Sequence, residues 1–581
     1  MSTETIRAAA RAWLAEDPDP ATRGELSVLL ERATGGDADA DRDLAERFTG
    51  QLEFGTAGLR GVLGAGPQRM NRVLVRKVTA GLAAYVRATV TPAAGRPLAV
   101  AIGHDARHNS RVFAEDAARV LAGAGLAVHL AHRPWPTPTT AWAVTELGCA
   151  AGIMVTASHN PPEYNGYKVY WGNGAQIIPP HDRGIAAAID QIGRSDQLAM
   201  PELADARARG LVHDLDEAFH DRYLAAAIAL RASPNVDGRA LRIAYTPLHG
   251  VGARSVEPAL ARAGFPQVAT VASQREPDPR FPTVAFPNPE EKGAMDAVLA
   301  LAAAERAELV LANDPDADRL CVAVPDPNPG RYRVLTGDQV GALFADYLLT
   351  VSRADRRMVA TTVVSSQLLG FLAKAAGADY RETLTGFKWI GNAAIDYERE
   401  TGGRFVMGYE EALGYSIGPL VRDKDGVSAC VVFAELAAWN AARGRSVLAH
   451  LDDIYRRVGL FITEQVSLTR PGAQGIAEIR ATMARFRSEP PRTLATHAID
   501  TVVDLARGEG GLPPSDVLVW KLAGGRRVIM RPSGTEPKLK SYYEVRVAIG
   551  EGEAIDAARA RGQHELAALR DAHQALLAGA N

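Results

Sequence analysis

Short runs of consecutive apolar residues recur along the chain, each just before a polar turn that contains glycine. Runs of this kind are typical of strands that are buried on both faces of a sheet. The segments predicted as strands are residues 98–102, 151–155, 241–245, 309–312 and 358–364. Between them lie alanine- and leucine-rich stretches with helical spacing, such as residues 111–124 and 295–304. This alternation predicts an α/β protein with mixed or parallel sheets.

Clusters of proline and glycine mark the predicted breaks between these elements. Residues 325–330, Pro-Asp-Pro-Asn-Pro-Gly, follow a strand pattern and are predicted as a domain edge or the tip of a hairpin. Further breaks are predicted near residues 470–475 and 508–514, so that about the last hundred residues form a separate unit. Residues 554–578 contain few helix breakers and are predicted as a closing helix. Because 581 residues exceed what one hydrophobic core can organise, we expect roughly three to five domains.

Composition and charge narrow the class of protein. Hydrophobic residues make up 47% of the chain and charged residues 23%, which is ordinary for a globular protein and excludes disorder, collagen or coiled coil as the main architecture. The formal net charge of -3 argues against a nucleic-acid-binding protein, because such surfaces normally need an excess of basic residues. The sequence shows neither a secretion signal nor an apolar run of roughly the 18 residues that span a bilayer. With only Cys149, Cys321 and Cys430, a reducing compartment is expected, and the predicted location is the cytoplasm.

A serine lies in a polar loop directly after the predicted strand 151–155. Residues 156–168 read Thr-Ala-Ser-His-Asn-Pro-Pro-Glu-Tyr-Asn-Gly-Tyr-Lys and place Ser158 at the carboxyl end of that strand. Ligands of open α/β sheets bind at the carboxyl ends of strands, and the two prolines restrict the loop. A serine in a polar loop is more often a turn or cap residue. Ser158 is therefore a candidate catalytic residue only in combination with other motifs.

An acidic loop follows the predicted strand 309–312. Residues 313–319 read Asn-Asp-Pro-Asp-Ala-Asp-Arg, and three carboxylates at alternate positions of an extended loop can converge on a hard cation. An EF-hand loop would need glycine at its sixth position and an acidic residue at its twelfth, where this chain has Arg319 and Pro325. A solvated acidic turn is the remaining alternative. We favour a metal site, and magnesium in particular, because few protein ligands leave room for phosphate oxygens or water.

Three further segments carry groups suited to a phosphorylated sugar. Residues 531–540 combine an arginine, two hydroxyls and a glycine, which together can bind a phosphate group. Residues 408–415 contain Glu410 and Glu411, which can accept hydrogen bonds from sugar hydroxyls. Residues 54–61 form a glycine-rich turn that can bring Arg60 into a cleft. Taken alone, residues 531–540 are equally well explained as a polar turn. Exposed acids on a helix explain residues 408–415 better, and residues 54–61 would be a plain turn.

Together these segments resemble those of the α-D-phosphohexomutase family, which includes phosphoglucomutases and phosphomannomutases. The serine loop and the Asp-x-Asp-x-Asp-Arg loop are highly specific to that family, and the resemblance spans nearly the whole chain. Three segments look most like those of the branch that contains phosphopentomutase and phosphoglucomutase type 2. They are Gly-Thr-Ala-Gly-Leu-Arg-Gly at residues 55–61, Thr-Gly-Phe-Lys-Trp-Ile-Gly at 385–391 and Gly-Tyr-Glu-Glu-Ala-Leu-Gly-Tyr at 408–415.

The resemblance implies a four-domain architecture around a central cleft. Three related mixed α/β domains would be followed by a C-terminal α+β domain similar to the TATA-binding-protein fold. The expected domains are 1–212 with the phosphoserine loop, 213–330 with the metal loop, 331–460 with the sugar loop and 461–581 with the phosphate loop.

The resemblance also implies a reaction and the residues that carry it. Phosphorylated Ser158 would donate its phosphoryl group to a sugar monophosphate, and the resulting bisphosphate would return its other phosphate to Ser158. The implied cofactors are one Mg²⁺ per active site and a sugar bisphosphate as activator, and the implied partner is the sugar phosphate alone, without nucleic acid or membrane. The expected metal ligands are Ser158, Asp314, Asp316 and Asp318, with Arg319 near the metal. The expected catalytic residues are Ser158, Arg60, His159, Lys168 and Lys388, and the expected substrate-binding residues are Glu410, Arg531, Ser533, Gly534 and Thr535.

Several questions stay open from the sequence. Lys168 could act as a base only with a depressed pKa, since an ordinary lysine has a pKa of about 10.4, and Lys388 is the competing proton carrier.

The preferred sugar is a separate question. Other family members often carry serine at the position of Ala412, and this difference weakens any inference of this chain's sugar preference from theirs. The favoured reaction exchanges phosphate between the C1 and C6 hydroxyls of glucose or mannose, and phosphopentomutase is the alternative. A monomer and a dimer are equally compatible with the sequence.

Three other classes of protein compete with a mutase. Residues 250–255, Gly-Val-Gly-Ala-Arg-Ser, could be taken for a dinucleotide-binding turn, but its third glycine is missing. A phosphatase would use the same metal and phosphate loops with water as the acceptor. A non-catalytic sugar-phosphate-binding protein is disfavoured, because Ser158 and all three aspartates are present. The turn His104–His108 is predicted to lie on the first-domain face of the cleft, with a purely structural turn as the alternative.

Overall fold

The computed structural model describes residues 2–55, 58–92, 95–328, 330–352, 354–470, 472–533 and 538–579. The chain begins with three helices that have their own apolar core, which includes Leu26, Leu44 and Phe48. Aspartate or serine side chains cap all three amino termini, as expected for residues that satisfy unpaired backbone N–H groups. These helices are α1 (Thr3–Glu16), α2 (Pro20–Thr34) and α3 (Ala38–Phe48).

The first sheet has six strands in the order β1-β5-β4-β2-β3-β6. Strands β2, β3, β4 and β6 are parallel, and β5 pairs antiparallel with both β4 and β1. The elements of this region are β1 (Leu59–Val62), α4 (Arg72–Thr89), β2 (Ala99–His104), α5 (Ser110–Gly123), β3 (Ala127–Ala131), α6 (Thr137–Glu146), β4 (Ala151–Val155), β5 (Tyr164–Trp171), α7 (His181–Ile189), α8 (Leu203–Ala208), β6 (Val212–Leu215) and α9 (Glu217–Ile228). Lys168 thus lies inside a strand.

The second sheet has five strands in the order β11-β10-β9-β7-β8. Its elements are β7 (Ile243–Thr246), α10 (Ala253–Arg262), β8 (Val268–Thr270), α11 (Asp296–Glu305), β9 (Leu309–Ala312), β10 (Cys321–Pro325) and β11 (Tyr332–Val334). Strand β7 pairs parallel with β8 and β9, whereas β10 pairs antiparallel with β9 and β11. Strands β10 and β11 form a hairpin, as predicted, and residues 326–328 and 330 lie at its tip, while Pro329 is outside the described residues.

The third α/β region contains the parallel strands β13, β12 and β14, in that order. Its elements are α12 (Gly337–Val351), β12 (Arg357–Thr362), α13 (Leu368–Ala375), β13 (Asp379–Thr383), α14 (Phe387–Thr401), β14 (Arg404–Glu410), β15 (Gly414–Ile417), α15 (Gly426–Ala441) and α16 (Val447–Val458). Glu410 ends a strand and Glu411 begins a turn, so the alternative of two exposed acids on a helix is wrong.

The last region is an antiparallel sheet in the order β16-β21-β20-β19-β18-β17, with two long helices. The elements are β16 (Leu460–Thr469), α17 (Gly472–Ser488), β17 (Thr493–Leu494), β18 (His497–Asp504), β19 (Leu518–Leu522), β20 (Arg526–Pro532), β21 (Lys538–Val547) and α18 (Ile555–Ala578). The predicted closing helix is confirmed as α18. A break near residues 470–475 is confirmed, because β16 ends at Thr469 and α17 begins at Gly472.

Two compact units are formed by the described residues. One contains residues up to 335 together with 394–396 and 412–442, and the other contains 336–393, 397–411 and 443 onward. The predicted α/β class is confirmed by the sheets of the first three regions. Within the described ranges, none of the helices is both long and apolar enough to cross a membrane.

Candidate active site

Ser158 lies in the first unit, in the loop that follows β4. Its backbone has a φ of 52°, in the left-handed region that costs a non-glycine residue roughly 1–2 kcal/mol. The Ser158 N–H donates to Thr156 Oγ1 at 2.8 Å, which supports this conformation. The Ser158 Oγ donates to Asp314 Oδ2 at 2.7 Å. The fold therefore brings the hydroxyl of the serine loop into direct contact with the acidic loop.

The acidic loop between β9 and β10 holds three buried carboxylates. Oxygens of Asp314, Asp316 and Asp318 all lie within 4.8 Å of one another. The loop is a turn and not the extended segment expected from the sequence, because the Ala317 N–H donates to the Asp314 carbonyl at 2.9 Å and Ala317 has a φ of 51°. The turn brings the three carboxylates together more closely than an extended chain would, since alternate residues of a strand lie almost 7 Å apart.

This cluster fits a divalent hard cation. Asp316 Oδ1 and Asp318 Oδ1 are buried and make no hydrogen bond to any described residue, although buried oxygens of this kind are normally satisfied. Burial and the neighbouring carboxylates of Asp316 and Asp318 raise the pKa of Asp314 well above its ordinary value. Oxygen ligands with spare lone pairs are what Mg²⁺ and Ca²⁺ prefer.

Two lysines supply positive charge to the cluster. Lys168 Nζ donates to Asp316 Oδ2 at 2.8 Å and to Asp318 Oδ2 at 3.0 Å. Lys424 Nζ lies 3.3 Å from Asp318 Oδ2. Burial alone would lower the pKa of Lys168, but the adjacent carboxylates outweigh it and raise that pKa.

The other predicted side chains of the first unit surround Ser158. His159 Nδ1 lies 3.2 Å from Ser158 Oγ, and burial together with nearby arginines lowers the pKa of His159 well below its usual value. The exposed Arg60 on β1 donates to Asn160 Oδ1 at 3.1 Å. Arg319 donates its backbone N–H to Asp314 Oδ1 at 3.1 Å and its Nη1 to the Ala412 carbonyl at 3.0 Å. A neutral imidazole and two guanidinium groups thus lie beside the serine and the acids.

The second unit carries the remaining predicted residues. Glu410 Oε1 accepts a hydrogen bond at 2.8 Å from the N–H of Gly386, at the start of α14. Lys388, on the first turn of that helix, is largely buried with its Nζ 5.7 Å from the ring centre of Trp389. Arg531 is near the end of β20, paired across the sheet with Lys540.

The phosphate loop is described only in part. The Ser533 N–H donates to the Lys538 carbonyl at 2.8 Å. The predictions for Gly534 and Thr535 fall outside the described residues, as do Thr56 and Ala57 of the Arg60 segment.

Four consecutive segments of the chain match sequence profiles of one family. They are described as phosphoglucomutase/phosphomannomutase alpha/beta/alpha domain I at residues 51–196, domain II at 221–329, domain III at 336–458 and the C-terminal domain at 472–561. The chain belongs to the phosphoglucomutase/phosphomannomutase family. It is a phosphosugar mutase with that family's four-domain architecture, so the predicted family, fold and enzyme class are confirmed. The boundaries that we assign to the domains stay a prediction.

Individual relatives agree with this assignment. A protein named "probable phosphomannomutase" from Haemophilus influenzae is 40% identical over 82% of this chain and 93% of its own length. The phosphopentomutase of Mus musculus is 36% identical over 92% of this chain and 89% of its own length. The crystal structure of a phosphoglucomutase/phosphomannomutase family protein from Burkholderia thailandensis matches with a TM-score of 0.64 at 20% identity, covering 91% of this chain and 97% of that one.

Membership of the family removes the dinucleotide-binding alternative for residues 250–255. In the structure, Gly250 instead allows two loops to pack closely. A Cβ atom on Gly250 would lie 2.3 Å from Pro315 Cα, inside the acidic loop. The Val251 N–H donates to the Pro315 carbonyl at 2.9 Å. The loop after β7 therefore supports the acidic loop of this mutase by close backbone packing.

Sequence reasoning gave no individual role to three polar residues of the site, although Arg107 lies in the turn His104–His108 that was predicted at the cleft. Thr137, at the start of α6, donates its Oγ1 to Asp316 Oδ2 at 2.6 Å. Arg107, in the turn after β2, donates to carbonyl groups of the serine loop. Lys424 reaches the acidic cluster from the loop that follows β15. The usable signal was the same for Arg107 and Thr137, because both follow a buried parallel strand at the edge where Ser158 lies.

Proposed function

We propose that this protein is a Mg²⁺-dependent phosphohexomutase that interconverts the 1-phosphate and 6-phosphate of glucose or mannose through phosphorylated Ser158. The observation that carries the proposal is the 2.7 Å hydrogen bond from Ser158 Oγ to Asp314 Oδ2, within a cluster of three buried carboxylates. A hydroxyl in that position is suited to carry a phosphoryl group beside a divalent ion. Ser158, Asp314, Asp316 and Asp318 would hold the ion. When bound there, Mg²⁺ neutralises the negative charge that develops on the transferring phosphoryl group.

The reaction consists of two transfers with a rotation of the intermediate between them. The bond between Ser158 Oγ and phosphorus breaks while a bond forms from phosphorus to the free sugar hydroxyl, which loses its proton as Ser158 Oγ gains one. The bisphosphate then turns over. In the second transfer the other phosphorus leaves its sugar oxygen for Ser158 Oγ, Ser158 Oγ loses its proton and the sugar oxygen gains one. A small amount of sugar bisphosphate therefore acts as activator, because it phosphorylates the serine of enzyme that has lost its phosphate.

The basic groups around Ser158 divide into two roles. Arg60 and Arg319 would stabilise the transferring group as fixed positive charges. Lys168, whose Nζ donates to Asp316 and Asp318, is a candidate to give or take the proton as general acid or base. His159, whose pKa is lowered, and Lys388 are the remaining candidates for the proton acceptor.

Five further residues are proposed to bind the substrate. Glu410, at the end of β14, would accept hydrogen bonds from sugar hydroxyls. Arg531, Ser533, Gly534 and Thr535 would bind the phosphate that is not being transferred, because arginine and backbone N–H groups bind phosphate oxygens well. A clamp for the second phosphate is needed because either end of the bisphosphate must be able to face Ser158.

Pentose phosphate is the second candidate substrate, and the similarity to mouse phosphopentomutase over 92% of the chain favours it. Ribose 1-phosphate, glucose 1-phosphate and mannose 1-phosphate, each with a trace of the matching bisphosphate, would be compared by kcat/KM. The hexose proposal fails if ribose 1-phosphate is the preferred substrate. Release of inorganic phosphate faster than isomer formation would instead make the protein a phosphatase. Cytoplasmic location and the choice between monomer and dimer stay predictions.

The serine mechanism is tested by Ser158→Ala. We expect kcat to fall by at least roughly 10⁴-fold, because the residue that carries the phosphoryl group is lost, and the phosphorus-31 signal of phosphoserine to disappear. The matched control is Ser195→Ala, since Ser195 is equally buried and its Oγ makes no hydrogen bond to the described residues. Mutase activity retained by Ser158→Ala would refute the serine mechanism.

A further inference from the structure

Arg107 is a buried arginine that contacts the serine loop through several carbonyl groups. Only 1% of its side chain is exposed. Its Nη1 donates to the carbonyls of Pro161 at 2.8 Å and Tyr164 at 3.3 Å, and its Nη2 donates to the carbonyl of Ser158 at 2.6 Å and to that of Asn160. One guanidinium group thus connects four carbonyls across the loop that carries the reacting hydroxyl.

These contacts constrain the backbone at the residue that reacts. Ser158 has a left-handed backbone conformation, which is uncommon for a residue with a side chain and persists only where the surroundings enforce it. The Ser158 N–H is held by Thr156 Oγ1 and the Ser158 carbonyl by Arg107. With both peptide groups of the residue held, the Cα–Cβ bond has a fixed direction, and the hydrogen bond from Oγ to Asp314 Oδ2 then selects the side-chain rotamer.

Arg107 is itself held on two sides. Its Nε lies 3.4 Å from Asp105 Oδ2, and Asp105 receives hydrogen bonds from Ser110 Oγ and the Arg107 N–H. Its guanidinium lies 4.9 Å from the ring centre of Phe281, a buried residue between β8 and α11. The adjoining loop 247–251 packs against Pro315 of the acidic loop. Arg107 therefore connects the serine loop to the region that carries the metal-binding aspartates.

We propose that Arg107 is a positioning residue that fixes Ser158 Oγ relative to the acidic cluster and so sets the rate of phosphoryl transfer. The inference rests on the proposed function, because it assigns Arg107 to the same reaction. Arg107 acts through the backbone of the serine loop and needs no contact with the sugar. The planar fork of five N–H donors is what the role requires, and a single ammonium group cannot reproduce it.

The test compares Arg107→Lys with Arg231→Lys. Arg231 is a matched control because it is also buried, pairs with a carboxylate (Glu435, 3.1 Å), lies over a ring (Phe265, 5.5 Å) and donates to two carbonyls, but none of these groups belongs to the site. Both substitutions keep the charge and lose the fork. We expect both to lower the melting temperature, whereas only Arg107→Lys lowers kcat, by roughly 10- to 100-fold with KM for the sugar phosphate nearly unchanged.

Hydrogen–deuterium exchange provides a readout that does not depend on activity. Amides of residues 156–165 should exchange faster in Arg107→Lys than in wild type and should be unchanged in Arg231→Lys. If Arg107→Lys proves too unstable to purify, Phe281→Leu removes the ring from the guanidinium while keeping an apolar side chain, and a smaller change of the same kind is expected in both measurements.

Three outcomes would overturn the proposal. They are an unchanged kcat in Arg107→Lys, an equal loss of kcat per folded molecule in Arg231→Lys, and unchanged exchange of the serine loop. A wild-type enzyme without mutase activity or phosphoserine would instead refute the proposed function, so the two failures are distinguishable.

Discussion

At the scale of single residues, the site depends on how each buried carboxylate is paired. Asp316 is the best-held member of the cluster, because Lys168 and Thr137 both donate to its Oδ2 and the Thr137 N–H donates to its carbonyl. Burial opposes its charge, but Lys168 outweighs burial and lowers the pKa of Asp316. Arg319 Nε lies 3.9 Å from Asp314 Oδ2, but burial and the neighbouring carboxylates outweigh this arginine and raise the pKa of Asp314 instead. A bound divalent ion would supply positive charge to Asp314 and so favour the ionised form of its carboxyl group.

The first prediction concerns Thr137, which orients one of the candidate metal ligands. Thr137→Val removes the 2.6 Å hydrogen bond to Asp316 at almost constant volume. We expect the affinity for Mg²⁺ to fall by about 10- to 100-fold, as is typical when a group that orients a metal ligand is lost. Calorimetric titration of Mg²⁺ into the purified protein measures this. Thr140→Val is the control, because Thr140 lies on the same helix but its Oγ1 faces Met154 Sδ at 3.3 Å. Equal affinities in the two variants would contradict the prediction.

At the scale of elements, the loops after parallel strands carry the chemistry of the first unit. The turn after β2 supplies Arg107, the helix after β3 begins with Thr137, and the loop after β4 supplies Ser158. Parallel strands end at the same edge of a sheet, so these three loops are neighbours in space although they are separate in the chain. In the second sheet, the loops after β7 and β9 lie together for the same reason.

The second prediction tests that close packing of loops. Gly250→Ala places a Cβ atom 2.3 Å from the backbone of Pro315, so the acidic loop must shift. We expect a loss of about 1–3 kcal/mol in the free energy of unfolding, which is typical of overpacking, together with reduced kcat.

The matched control for Gly250→Ala is Gly24→Ala. Gly24 lies inside α2, and a Cβ atom there would have no neighbour within 4 Å. Alanine is the better helix former, so this substitution should stabilise the protein by about 0.5–1 kcal/mol and leave kcat unchanged. Chemical denaturation and steady-state kinetics measure both effects. A Gly250→Ala enzyme with normal stability and rate would show that the two loops are not packed as described.

At the scale of the whole molecule, a buried acid connects separate regions of the second unit. Asp338, near the start of α12, accepts hydrogen bonds from the Ser366 N–H at 2.7 Å, Tyr409 Oη at 3.1 Å and Thr463 Oγ1 at 3.1 Å. Thr463 belongs to β16, so the third α/β region and the C-terminal sheet share this group. Burial raises the pKa of Asp338 to about 7, and Glu411 and Glu544 add to the effect.

The third prediction follows from that pKa. An unfolded aspartate has a pKa of about 3.9, so between pH 4 and 7 the unfolded chain releases a proton that the folded chain retains. This group therefore makes the folded state less stable as pH rises through that range, and above about pH 7 the loss is complete. Asp338→Asn cannot ionise and keeps the same shape. Relative to wild type, its free energy of unfolding should rise by roughly 2–4 kcal/mol from pH 5 to pH 8.

Asp346→Asn is the control, because Asp346 lies on the same helix and its pKa is shifted in the opposite direction. Burial opposes ionisation of Asp346, but His450 and Arg457 outweigh it and lower the pKa of that carboxyl. Asp346 thus contributes stability above the unfolded pKa, so Asp346→Asn should be destabilised relative to wild type at pH 5 and above. Denaturant titrations at pH 5 and pH 8 measure both variants. A difference between Asp338→Asn and wild type that does not change with pH would refute the prediction.

Much of the fold follows from local patterns. The predicted strands 151–155 and 309–312 are β4 and β9 without any change of bounds, and the closing helix is α18 to within one residue. These elements are recognisable because fully apolar runs and long breaker-free stretches each favour one type of element. The acidic loop was placed after the correct strand, but its turn was not foreseen, because a left-handed residue at Ala317 has no signature in a single sequence.

The sequence by itself determined the family, the order of the motifs and the chemical groups available, because these depend on residue type and local spacing. Only the tertiary structure decided which groups meet. Ser158 and Asp314 are 156 positions apart and touch, and Arg107 contacts a loop more than 50 positions away. Such contacts depend on how strands are ordered in the sheets and how sheets pack, and no local pattern of hydrophobic and polar residues encodes that order.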